Sequence, residues 1–157
     1  MLSDLLSFTV PLGQSTSTSN YGPHQHGKAT HHKDTAQIFA ACHVPYVCTV
    51  AENNPRDMIR KAAKAQKYAD EGLVFVKMIS MCPLAWKTEE RMSVPIIQAS
   101  VDSCFFPLYE VERGITTLSY DPEEKGKKVP VTEFLKHMGK TKHMLKPDCK
   151  PDRKSVV

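Results

Sequence analysis

The residues best suited to chemistry lie in one short stretch, Met81-Cys82-Pro83-Leu84-Ala85-Trp86. Proline after Cys82 fixes the backbone beyond the thiol and removes an amide donor, so the thiol can be presented rigidly. Thiolates ligate iron–sulfur clusters, and one cysteine can be a ligand contributed from a distant segment. A single cysteine before a proline is more often structural. The other four, Cys42, Cys48, Cys104 and Cys149, form no C-x-x-C pair and fit no zinc module. Each reads by default as a small buried hydrophobe. His24, His26, His31 and His32 invite a metal reading, but no cysteine or acidic cluster completes a ligand set beside them. A polar loop that happens to hold histidines is the better account.

The elements that must position Cys82 follow from the pattern around it. LVFVKMIS (73–80) is the kind of apolar run found in buried parallel strands, and it leads straight into the cysteine. Upstream, TAQIFAACH reads as a short helix opened by Asp34 or Thr35 and stopped before Pro45. Tyr46 to Val50 reads as a buried strand. The next helix has Asn54 as its cap, Pro55 in its first turn and Gly72 at its end. Met58, Ile59, Ala62, Ala63 and Gln66 are its expected inward stripe. Arg56, Arg60, Lys64 and Lys67 are expected on the solvated side. Residues 88–103 read as a helix that Pro95 kinks or starts. FPLYEVE and ITTLSY read as strands turning at Arg113-Gly114, and Pro130 opens a last helix stopped by Gly139.

Strands alternating with helices argue for an α/β layer with a mostly parallel sheet flanked by helices. Ligands in such sheets sit at the carboxyl ends of strands, where Cys82 stands. The expected organisation is an irregular amino-terminal segment and loop over 1–34, an α/β domain over 35–146 and a loose basic tail over 147–157. The 157 residues suffice for one domain with a core, which should bury about 70% of the extended surface.

Composition narrows the function classes. An apolar fraction of 41% and a charged fraction of 24% exclude a wholly disordered or collagen-like chain. No apolar run is long enough for a transmembrane helix, and MLSDLLSFTV has no basic region typical of an export signal. With an odd five cysteines, a reducing cytoplasmic setting is expected. From Lys125 onward ten Lys or Arg face three acids. This tail could meet an acidic partner, but no aromatic stacking pattern accompanies it, so nucleic-acid binding is not expected.

Several stretches together resemble the carboxy-terminal half of the β subunit of 2-oxoacid:ferredoxin oxidoreductases, the pyruvate synthase type. They are Pro11-Leu12-Gly13 with Gly27-Lys28, His43-Val44-Pro45-Tyr46-Val47 with Thr49, and Pro55 to Lys64. Further along, Cys82-Pro83 with Trp86 is similar to the family's Cys-Pro-x-Gly-Trp turn, and Pro107-Leu108-Tyr109-Glu110 follows it. Pro130-Val131, Glu133-Phe134-Leu135, Gly139 and Lys142-His143 resemble its ending. The resemblance covers roughly residues 11–147.

It implies part of a thiamine-diphosphate-binding fold and an enzyme that uses thiamine diphosphate, magnesium and a [4Fe–4S] cluster. A 2-oxoacid, by default pyruvate, would be decarboxylated, coenzyme A would take the acyl group, and ferredoxin would take the electrons. The implied partners include the enzyme's other subunits. Cys82 stands at a family cluster-ligand position. The match also departs from the family. Met81 and Ala85 replace a proline and a glycine of the cluster turn, and Met1, Leu2, Ser3 and Leu5 replace the asparagine, threonine, glycine and glutamine of a thiamine motif. The family's remaining cluster cysteines and Gly-Asp-Gly stretch lie upstream of the matched residues. The expectation is a subunit fragment inactive by itself, with a non-catalytic module that binds sister subunits or an acidic partner as the alternative.

Overall fold

Local signals start the first two helices of the α/β layer where the sequence puts them. In the computed structural model, which describes residues 21–22, 25–26, 34–139, 141 and 145, helix α1 (Thr35–Ala41) is capped by Asp34, whose side chain accepts from the amide of Gln37. Helix α2 (Pro55–Ala69) is capped by Asn54, which accepts from the amide of Asp57, and Pro55 occupies the first turn. These caps satisfy amides that have no partner inside the helix.

The expected irregular segment and loop over 1–34 contains a small antiparallel pair, β1 (Tyr21–Gly22) and β2 (Gln25–His26). His24, His31 and His32 lie outside the described residues, as do Cys149 and the tail 147–157.

The main sheet has four strands in the order β4-β3-β5-β6. They are β3 (Tyr46–Ala51), β4 (Val74–Ile79), β5 (Tyr109–Glu112) and β6 (Ile115–Leu118). The α/β layer is as expected, but the sheet is mixed rather than mostly parallel. Only β3 and β4 run parallel; β5 pairs antiparallel with both β3 and β6. The cause is local. Arg113 and Gly114 both take positive φ, +49° and +85°, and make a two-residue hairpin turn between β5 and β6.

Central strand β3 is buried along its whole length. On one face Val47 and Ala51 pack with residues of α1, of β5 and of helix α4 (Ser93–Asp102), including Ala36, Ile97, Val101 and Val111. On the other face Tyr46, Cys48 and Val50 pack against Ala65 of α2. Pro95 lies in the first turn of α4, where its missing amide hydrogen is not needed. Helix therefore begins two residues before the proline, and Glu90–Met92 form a separate 3-10 turn.

Helix α2 corrects the expected stripe. Its buried residues are Lys61 and Ala65, with Met58 and Tyr68 packed beside them. Ile59, Ala62, Ala63 and Gln66 are exposed. The helix is rolled by about one residue, 100°, because its charges find partners on the sheet. Lys61, fully buried, lies 2.7 Å from the carboxylate of Asp57 and donates to the carbonyl of Thr49 at 2.8 Å. Arg60 and Lys64, expected on the solvated side, reach Glu110 on β5 at 2.5 and 3.0 Å.

Among the described residues, no helix is long and apolar enough to cross a membrane.

Candidate functional site at the strand ends

The carboxyl ends of the parallel pair β3 and β4 carry the candidate site. After β4 the chain continues extended through Ser80, Met81 and Cys82, and then coils into the short helix α3 (Pro83–Trp86). Cys82 has φ −111° and ψ 106°, and its carbonyl accepts from the amide of Trp86 at 2.9 Å. Its side chain is exposed. The thiol therefore stands in the open on a backbone that Pro83 has made rigid.

Three contacts hold this turn. The first is Glu52, the residue after β3. Its carboxylate accepts from the hydroxyl of Ser80 at 2.5 Å, from the amide of Met81 at 3.2 Å and from the hydroxyl of Ser93 at 2.5 Å. Partial burial acts to raise the Glu52 pKa, but these donors outweigh it and hold the carboxyl below its ordinary value. The second is Trp86, which packs among Ile97, Phe106 and Leu108 and meets the Phe134 ring edge-on at 5.9 Å.

The third contact comes from the chain end beyond helix α5 (Val131–Lys136). The amide of Gly139 donates to the carbonyl of Lys87 at 3.3 Å, and the hydroxyl of Thr88 donates to the carbonyl of His137 at 3.2 Å. Lys87 is in the left-handed conformation that ends α3, with φ +51°. A Cβ on residue 139 would lie 2.6 Å from the Lys87 oxygen, so glycine is required there by close approach.

Sequence reasoning singled out Cys82, Pro83 and Trp86, and read Gly139 as a helix stop and part of the family resemblance without its contact to this turn. It missed Glu52. The signal was a carboxylate directly after a buried strand, which the capping sequence Asn54-Pro55 drew attention away from. Asn53, next to it, donates to Gln98 at 2.7 Å and leaves its own carbonyl oxygen buried without a partner among the described residues.

A [4Fe–4S] cluster takes four thiolates. Among the described residues no three of His, Cys, Asp and Glu stand together as a metal-holding group, and Cys82 is a single thiol. Cys48 is buried against Ala65 on β3, where burial pushes its thiol pKa up and keeps it protonated. Cys42, which ends α1, and Cys104, which follows α4, are exposed and not the buried hydrophobes expected of them, because each sits at a helix end facing out, and neither stands in a metal-holding group with Cys82. The described residues therefore fit one corner of a cluster and do not hold a whole one. They likewise present no group of carboxylates for magnesium.

No family model matches the sequence. Pyruvate synthase subunit PorB of Pyrococcus furiosus is 33% identical to it over 155 residues, covering 89% of this chain and 46% of the relative. Ketoisovalerate oxidoreductase subunit VorB of the same organism is 32% identical over 151 residues, covering 96% and 48%. Subunit PorB of Methanocaldococcus jannaschii is 31% identical over 150 residues, covering 96% and 49%. The chain thus spans about half the length of the curated relatives it matches. Over that span, and along nearly all of its own length, it is a relative of the β subunits of 2-oxoacid:ferredoxin oxidoreductases, the pyruvate synthase and ketoisovalerate oxidoreductase kind.

Proposed function

We propose that the chain forms part of the β subunit of a 2-oxoacid:ferredoxin oxidoreductase, and that Cys82 is one thiolate ligand of its [4Fe–4S] cluster. The observation that carries the reading is the placement of Cys82. It is an exposed thiol at the carboxyl end of a parallel strand, on a turn fixed by Glu52, Trp86 and Gly139. Similarity to pyruvate synthase and ketoisovalerate oxidoreductase subunits supports the substrate class, with pyruvate first and a branched 2-oxoacid second.

In such an enzyme bound thiamine diphosphate with magnesium would supply carbanion chemistry for decarboxylation, and a bound cluster, with Cys82 as one of its ligands, would supply single-electron transfer toward ferredoxin. The part of this chain is to hold one ligand still. A turn held by three separate contacts limits how far the thiol can move, which favours a constant cluster environment. The described residues present neither a group of carboxylates for magnesium nor a complete set of cluster ligands, so the chain by itself should bind thiamine diphosphate poorly and show no turnover.

A second reading is a non-catalytic module that binds sister subunits, and the lack of a complete cluster-ligand group among the described residues favours it. A basic face for an acidic partner has less support. Arg60 and Lys64 are engaged by Glu110 and Glu112, which leaves Arg56 and Lys67.

The test is an anaerobic pull-down of tagged chain from its own cell extract, assayed for viologen reduction driven by pyruvate or ketoisovalerate. Activity with co-purifying subunits is expected, and Cys82→Ala should then weaken the cluster's electron paramagnetic resonance signal. A stable chain that brings down neither activity nor subunits would leave the non-catalytic module.

A further inference from the structure

Glu52 does more than fix a backbone path, because its charge is left uncancelled. Its three donors are the hydroxyls of Ser80 and Ser93 and the amide of Met81, all neutral. Among the described residues it forms no ion pair, whereas Glu110 meets both Arg60 and Lys64. The donors hold the Glu52 carboxyl below its ordinary value, so it is ionised at neutral pH. A full negative charge therefore stands, partly buried, where β3 and β4 end.

That charge is close to Cys82. The carboxylate reaches the amide of Met81 at 3.2 Å, and Met81 is one peptide unit, about 3.8 Å of chain, before Cys82. The cations that follow the turn offset it little. Lys87 is exposed, and Arg91 is 81% exposed and already paired with Glu89. Water and salt screen such surface charges far more than a partly buried one.

A [4Fe–4S] cluster gains one negative charge when one electron reduces it, and the charge around a cluster is one of the properties that set its reduction potential. A fixed anion beside one ligand raises the energy of the reduced form more than that of the oxidised form. We infer that Glu52 is a positioning residue of the turn whose charge also lowers the reduction potential of the cluster that Cys82 ligates. The reduced cluster is thereby a stronger one-electron donor. The inference rests on the proposed function, since it needs Cys82 as a ligand. Its test reads a potential and needs no turnover.

The experiment is a redox titration of the anaerobically pulled-down complex, followed by the cluster's electron paramagnetic resonance signal, with the parent chain and its variants. Glu52→Gln keeps an acceptor and removes the charge. Its ratio of reduced to oxidised cluster at a fixed solution potential should rise about tenfold, or about 59 mV for a one-electron couple. Ser93→Ala removes a neutral donor from the same clamp and keeps the charge, so its potential should stay that of the parent. Glu71→Gln removes a charge before β4, at the opposite end of the sheet, and should leave the potential unchanged as well. A normal signal whose potential does not move in Glu52→Gln overturns the inference. So does an equal rise in Ser93→Ala, which assigns the effect to the clamp, or in Glu71→Gln, which assigns it to net charge at large. Loss of the cluster itself in Glu52→Gln makes Glu52 purely structural and overturns it equally. Cys82→Ala separates this inference from the reading beneath it. If Cys82→Ala loses the signal, an unmoved potential in Glu52→Gln defeats the inference alone. If Cys82→Ala keeps the signal, Cys82 is no ligand, and the proposed role of Cys82 falls together with the inference.

Discussion

Two glutamates organise two regions of this molecule by different chemistry. Glu52 sits at the strand ends and is held by neutral donors, two hydroxyls and one amide. Glu110 sits under α2, 4% exposed, and is held by two cations and a phenol: Arg60, Lys64 and the Tyr46 hydroxyl at 2.8 Å. Both carboxyls are kept below their ordinary pKa although burial acts to raise them. The difference lies in what each one fixes. Neutral donors from Ser80, Met81 and Ser93 lock a backbone path, the one that presents Cys82. Cations on α2 lock the rotation of a whole helix over the sheet. Breaking Glu110 should therefore disturb the fold, while breaking Glu52 should disturb the turn and leave the fold standing.

The largest effect is expected from Glu110→Ala. It removes the carboxylate that Arg60 and Lys64 share, leaving them Asp57 and Glu112, and leaves the Tyr46 hydroxyl without its acceptor. Burial and Glu110 have already pushed the Tyr46 pKa far above its ordinary value, so that hydroxyl stays a donor. Removing one partner of a buried pair costs about 3–5 kcal/mol; since Arg60 is half exposed, about 3 kcal/mol is expected here. Urea unfolding reads this directly. A loss under about 1 kcal/mol, the value of an exposed pair, would mean that α2 is held by packing alone.

Next comes Gly139→Ala. The added methyl would meet the Lys87 carbonyl at 2.6 Å, and backbone cannot swing aside as a side chain can. Overpacking of this kind costs about 1–3 kcal/mol. The loss should centre on the clasp between the chain end and the Cys82 turn, seen as faster amide exchange at 83–88 with 46–51 unchanged. Equal acceleration in both would dissolve the distinction between turn and fold.

How much of this was legible in the sequence differs between the two regions. The turn was legible because its signals are local: an apolar strand, then Cys82, Pro83 and Trp86 in order. The caps Asp34 and Asn54, the hairpin at Arg113-Gly114 and the stop at Gly139 were legible for the same reason. Its supports were not, since Glu52 lies 29 residues before Met81 and Lys87 lies 52 before Gly139, distances no local pattern spans. The orientation of α2 was misread because hydrophobic periodicity takes charges to face water. Here Glu110 and Glu112, on a strand 46 and more residues downstream, draw Arg60 and Lys64 onto the sheet. The mixed sheet was missed on similar grounds, for β5 pairs with β3 across more than 60 residues of sequence, which the alternation of helices and strands does not reveal.

Glu52→Ala should have a smaller effect on stability, about 1 kcal/mol, because its hydrogen bonds are neutral on one side and partly reached by water. Its effect on the turn should be plain: faster modification of Cys82 by a thiol reagent, with buried Cys48 unchanged. Glu52→Gln keeps an acceptor and should recover part of the protection. The pH dependence has a fixed sign. A carboxyl whose folded pKa is depressed contributes stability that is present above its unfolded pKa, about 4.3 for glutamate, and is lost as pH falls through the folded value. The unfolding midpoint should therefore fall on acidification below about pH 4.3. Glu110→Gln should flatten that fall more than Glu52→Gln does. The reverse order would make Glu52 the structural carboxylate of the pair.

The smallest effect is expected where burial is most complete. Lys61 is fully buried, with its ammonium between Asp57 and the Thr49 carbonyl. Lys61→Met keeps the length of the stem and its packing beneath α2 while removing the charge. Asp57 is not left alone, since Arg60 still reaches it at 2.8 Å. Replacing a buried ion by an apolar side chain of like volume removes a desolvation cost together with an attraction, and the two often cancel. One carbonyl loses a donor, so a net loss of about 0.5 kcal/mol is expected. A loss as large as that of Glu110→Ala would show that the ammonium, and not the stem, sets the roll of α2, and would make Lys61 the centre of the network in place of Glu110.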